Sequence, residues 1–125
     1  MSLAYQYTFN VPPAAIFSAG STVIWSQYYV ITNDFDPAKY ASGAVYKLVA
    51  VLKATSGGTA YARLYNVTDG SEIGQVSTSA TSPTLVTSAA LTMPATAKTL
   101  RVDLGGITLL GPHYCYFAAV QVDPS

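Results

Sequence analysis

Residues 61–73 read Y-A-R-L-Y-N-V-T-D-G-S-E-I, with an arginine, an aspartate, a glycine and a glutamate within ten positions. Four readings fit those residue types: a metal loop, a catalytic cluster, a glycosylation site or the corner of a hairpin. A calcium loop needs several carboxylates at D-x-D-x-D-G spacing, and Asp69 stands alone. Asn66-Val67-Thr68 matches a glycosylation sequon, which has weight only in a secreted chain. The N-terminal M-S-L-A-Y-Q-Y carries neither the basic nor the apolar region of a leader. Asp69-Gly70 between two apolar runs is a turn signal, because glycine supplies a positive φ and aspartate tolerates one. The stretch therefore reads as a hairpin corner, with Arg63 and Glu72 paired across it on the surface.

Other reactive groups are few. Asp34 and Asp36, with Asn33, offer part of a calcium site and lack further oxygens; turn formation is the plainer use. His113 and Cys115 lie two apart, so on a strand they share a face, and a thiolate–imidazole pair is one use of that. The plainer one is a small apolar thiol buried beside Tyr116 or Phe117. No G-x-S-x-G elbow accompanies His113. One His and one Cys do not build a zinc site. The six acids are scattered over turns and strand ends, a poor supply for a glycosidase pair. The sequence thus predicts no enzyme, no metal and no cofactor.

The elements that carry these residues are β almost throughout. Leu3, Tyr5, Tyr7, Phe9 and Val11 alternate with polar or small residues at the period of a half-buried strand. Pro12-Pro13 ends it. Residues 22–32 form a second strand and 33–43 a loop, with a turn where Asp36 precedes Pro37. Residues 44–55 and 59–67 read as a hairpin around Ser56-Gly57-Gly58. Further strands are expected at 72–77, 84–93, 99–104 and 113–122, with Gly105-Gly106 as an interruption. About eight short strands without a helical period predict an all-β, antiparallel β-sandwich, jelly-roll-like, as a single domain over residues 1–125.

Composition bounds the partners. Half of the 125 residues are hydrophobic and 10% are charged, against about 25% in typical globular chains. Six basic and six acidic residues cancel, so nothing draws the chain to nucleic acid or anionic lipid. Residues 14–31 have no charge, yet their Ser, Thr, Gln and β-branched content argues against a membrane span. A single cysteine cannot form an internal disulfide. So few charges suit a surface that lies against other subunits. Ten tyrosines, four phenylalanines and Trp25 must be shared among core, subunit contacts and sugar stacking. For subunit contact the candidates are Leu3, Tyr5, Tyr7, Phe9, Phe35 and Tyr40, from residues 1–13 and the 33–43 loop. For glycan stacking they are Trp25, Tyr28 and Tyr61.

The run A-V-Y-K-L-V-A-V-L-K-A-T-S-G-G-T-A-Y-A-R-L-Y-N-V-T-D-G-S-E-I, then S-T-S-A-T-S-P-T-L-V-T-S-A-A-L-T-M-P, L-R-V-D-L-G-G and Y-F-A-A-V-Q-V, resembles a module of tailed-phage virion proteins. The resemblance covers residues 44–122. It implies a jelly-roll or related sandwich, often trimeric, serving as capsid decoration, tail protein or fibre head. The expectation is a bacteriophage structural protein, first a capsid decoration (cementing) homotrimer bound to the major capsid protein. It would be made in the host cytoplasm and located in the virion. The alternative is a carbohydrate-binding or receptor-binding module of a tail or fibre. No stalk-like repeat precedes the module in residues 1–43.

Overall fold

The computed structural model describes residues 6–11, 13–16, 20–30, 36–40, 43–108 and 112–123; along the first three strands, Trp25 apart, it describes the backbone only. The strands in chain order are β1 (Gln6–Val11), β2 (Ala14–Ile16), β3 (Gly20–Val30), β4 (Val45–Lys53), β5 (Thr59–Asn66), β6 (Ser71–Thr78), β7 (Thr84–Thr87), β8 (Leu100–Thr108) and β9 (His113–Asp123). A short 3-10 turn covers Pro37–Lys39. Among the described residues no helix is long and apolar enough to cross a membrane.

The strands form two antiparallel sheets. One runs β1-β9-β4-β7, with β2 also paired to β9; the other runs β3-β8-β5-β6. β1 and β2 follow one another along β9, from Gln6 opposite Val122 to Ile16 opposite His113. Pro12-Pro13 separates them because proline has no ladder donor. The first strand lies beside the last, and strands close in sequence divide between the sheets. That is the order of a jelly-roll sandwich.

Alternation builds the core. Ala60, Ala62 and Leu64 of β5 face Leu48, Ala50 and Leu52 of β4, with Leu100, Val102, Leu104, Ala118, Val120 and Val122 completing the interior. Tyr40, Tyr46, Ile73, Val86, Leu91 and Met93 pack around it. β4 and β9 depart from simple alternation: Leu48-Val49-Ala50 and Ala118-Ala119-Val120 are buried in succession. The outward residues within these runs, Val49 and Ala119, are paired and apolar as well.

Three expectations need correction. Ser56-Gly57-Gly58 is a turn, with Gly57 at φ 83° and Gly58 N–H donating to Thr55 O at 2.9 Å, yet it closes no hairpin. β4 and β5 belong to different sheets. Turn residues fix a reversal of the chain and leave open which layer the next strand joins. Gly105-Gly106 does not interrupt β8, which continues to Thr108. A Cβ on Gly106 would stand 2.5 Å from His113 Cδ2 and 2.8 Å from Thr59 O, so the position demands glycine within a strand. The strand at 84–93 stops at Thr87. Beyond it Ser88 N–H still donates to Leu48 O, and Leu91 N–H to Tyr46 O, while Leu91 and Met93 turn towards the core.

Gly106→Ala is expected to lower unfolding stability by about 1–3 kcal/mol through overpacking, read from urea denaturation. An unchanged midpoint would show that His113 moves aside freely.

Candidate functional site

The 61–73 stretch is the β5–β6 hairpin corner that its sequence predicts. Asn66, only 4% exposed, accepts from Asp69 N–H at Oδ1 and donates from Nδ2 to Asp69 Oδ2, both at 3.0 Å. Gly70, at φ 70°, donates to Asn66 O. Asp69 also meets Lys98 Nζ at 3.2 Å, and Thr68 Oγ1 accepts from Thr99 N–H. The sequon asparagine is thus committed to its own turn.

Arg63 does face Glu72, but at 3.9 Å. Its closer partner is Asp103, directly opposite on β8, with Nε to Oδ2 at 2.7 Å. Arg101 adds Nε to Oδ1 at 2.6 Å and Nη2 to Oδ2 at 3.1 Å. The Asp103 side chain has no exposed surface. Both of its oxygens are bonded to guanidinium groups, the condition under which a buried charge is tolerable. The Arg63 guanidinium lies 4.3 Å from the Trp25 ring centre and 4.6 Å from that of Tyr65; Arg101 lies 4.9 Å from Tyr65. Cation–π attraction therefore reinforces the ion pairs.

Two glycan-stacking candidates meet here. Trp25 and Tyr61 flank Gly105 from either side, with ring centres 6.2 Å apart and planes crossed at 75°. That is an edge-to-face contact, and Arg63 lies over Trp25. Tyr28 is in register with Asp103. Nothing local in the sequence marks this cluster, because Arg63 comes from another strand, 40 positions from Asp103. Asp103→Ala should cost about 3–5 kcal/mol by leaving two guanidiniums without their acceptor. Glu72→Ala should cost under about 1 kcal/mol in the same melts, as an exposed pair at long range.

His113 and Cys115 share the inward face of β9, as their spacing predicts, and both are buried. His113 Nδ1 accepts from Thr55 N–H at 2.8 Å, and Nε2 donates to Ile107 O at 3.0 Å. A backbone N–H donates to Nδ1, so Nε2 is the nitrogen left to donate to Ile107 O. Both nitrogens are occupied by backbone. Gly58 and Gly106 make room for the ring. Burial pushes the Cys115 thiol up to about 11, against a smaller lowering by the Phe117 backbone, and Sγ donates to Phe117 O at 3.5 Å. Such a thiol is protonated and shielded at neutral pH. Ellman's reagent at pH 8 is expected to leave Cys115 unlabelled in the native chain and to label it in urea; rapid native labelling would contradict the burial.

Asp36 caps the 3-10 turn: its Oδ1 accepts from Ala38 N–H at 3.0 Å and its carbonyl from Lys39 N–H at 3.1 Å. Among the described residues no three His, Cys, Asp or Glu converge as a metal site. Asn33, Asp34, Leu3, Tyr5 and Phe35 lie outside the described residues. Tyr7 sits on β1 opposite Gln121, and Phe9 lies on the same strand. Tyr40 packs against the core and edge-on to Tyr46, with ring centres 5.7 Å apart. Burial and the neighbouring Tyr40 push the Tyr46 hydroxyl up.

One side of the sandwich stands out by its chemistry. β6 and β7 are the terminal strands of their sheets and lie near one another. Residues 73–97, which include all of β7 and most of β6, contain no charged residue. Leu85, on β7, is 64% exposed. It continues an apolar row across the sheet, opposite Val51, which in turn opposes Phe117.

No protein-family model matches the chain, and no curated protein matches it. The solved structures similar in fold include these two. One is a chain in the structure of infectious bursal disease virus, Gx strain, at 10% identity and TM-score 0.49, over 99% of this chain and 33% of that one. The present chain thus spans about a third of its length. The other is the C-terminal family 22 carbohydrate-binding module of Clostridium thermocellum Xyn10B, whose cleft residues were studied in ligand binding. It has 14% identity and TM-score 0.47, over 94% of this chain and 86% of that one. Neither likeness assigns a role to this chain.

Proposed function

We propose that this chain is a non-enzymatic structural protein of a virion. In particular, it would be a capsid decoration subunit of a tailed phage that assembles as a homotrimer against the major capsid protein. One observation carries the reading: residues 73–97, with most of β6 and all of β7, carry no charge, and Leu85 on β7 is exposed. Sheet edges of free monomers are ordinarily protected by charge, proline or a covering segment. An uncharged edge with an exposed leucine suits burial against a neighbour, where charged residues are depleted. The resemblance of residues 44–122 to virion modules points the same way. So does the internal engagement of His113, Cys115 and Asp103 described above, which leaves these groups to structure.

Light scattering of the purified chain is expected to give three times the 13.1 kDa chain mass. Leu85→Asp should shift it to monomer with its melting temperature nearly unchanged. A wild-type monomer that also fails to bind particles lacking the protein would overturn the reading.

A further inference from the structure

The outer face of β9 carries a second aromatic group near its His113 end. His113 and Cys115 point into the core, so Tyr114 and Tyr116 point out, 38% and 41% exposed. The register of β9 on β4 shifts here: Val51 opposes Phe117 and Leu52 opposes Cys115. Tyr116 is the extra residue of a β-bulge, a device that re-aims a side chain. Its ring lies 28° from parallel to that of Tyr114, with centres 6.4 Å apart. Lys53, opposite Tyr114 in register, holds its ammonium 5.6 Å from the Tyr114 ring centre. Among the described residues Lys53, like Lys39 and Lys47, has no carboxylate partner, whereas Arg63, Lys98 and Arg101 are paired.

We propose that Tyr114, Tyr116 and Lys53 form a binding site for an acidic saccharide. A sugar ring has an apolar C–H face and a polar rim. Two nearly parallel, exposed tyrosine rings offer rigid apolar area with hydroxyls at the tips. The unpaired ammonium complements the carboxylate of a uronate or sialic-acid unit. Trp25 and Tyr61 lack this geometry, being crossed, with Arg63 over the Trp25 ring. The site spans β9 and the Lys53 end of β4, beside the row of Phe117, Val51 and Leu85.

The test uses the full chain in affinity electrophoresis through gels containing alginate, a uronate polymer, or dextran, a neutral one. Retardation is expected in alginate and not in dextran, and it should weaken with added salt. Tyr116→Ala and Lys53→Gln should each weaken it by about tenfold, the size of one lost stacking or charge contact. Both positions are on the surface, and circular dichroism melts should match the wild type. Absence of retardation on alginate and on a sialylated polymer would overturn the proposal. So would retardation unchanged in Tyr116→Ala, which marks simple polyanion attraction. A loss of oligomer mass in Tyr116→Ala would reassign the patch to subunit contact.

Discussion

A carboxylate without exposed surface must have its charge met where it sits, and Asp103 is the residue on which the second sheet depends. Its two oxygens accept three guanidinium N–H groups from Arg63 and Arg101. Those bonds fix the cross-strand register of β5 on β8, since Arg63 stands directly opposite Asp103 and Tyr65 opposite Arg101. They also hold the Arg63 guanidinium against Trp25, which brings β3 into the same cluster. One buried charge thus couples three of the four strands of this sheet. The cluster that looks richest in functional groups is largely satisfied by its own members. Functional contacts are better sought where side chains lack internal partners.

His113 plays the corresponding part where the chain crosses between layers. Its two ring nitrogens join the turn after β4, through Thr55, to the far end of β8, through Ile107. Glycine at 58 and 106 is the steric condition for that ring to fit. The histidine, the neighbouring buried cysteine and the glycine pair form one structural unit. The only imidazole and the only thiol of the chain are therefore both inside the sandwich.

Much of the fold was legible because it rests on local physics. Period-two alternation marked β5, β8 and β9, and Asp69-Gly70 marked the hairpin corner. Asp36 before Pro37 marked the 3-10 turn. What the sequence hid depends on distant partners. Ser56-Gly57-Gly58 announces a reversal, and whether it closes a hairpin or crosses between sheets is decided by β9, which claims β4 from the other end of the chain. Gly105-Gly106 looks like a break until His113 is placed beside it. Arg63 was assigned to its hairpin neighbour Glu72, while burial makes Asp103 the stronger partner. The stacking candidates Trp25 and Tyr61 meet across Gly105 with crossed planes, a pairing of β3 with β5 through β8 that neither strand's sequence shows alone. Tyr114 and Tyr116 were visible as a same-face pair, yet their near-parallel rings follow from a bulge that no residue pattern announced.

The surface divides along similar lines. Charges gather on the outer face of the second sheet and at the hairpin corner, leaving the β6/β7 side without any over residues 73–97. Such a side is unfavourable for a chain that stays alone in water and favourable for one that is covered. Amide hydrogen exchange along β7 tests this most directly. Thr84–Thr87 is a short terminal strand hydrogen-bonded to β4 on one side. The account predicts that its remaining amides, those not donating to β4, are strongly protected at concentrations where the chain is assembled and exchange quickly on dilution. Fast exchange of those amides under every condition, within an otherwise protected sandwich, would mean that β7 is a free edge and would contradict the account.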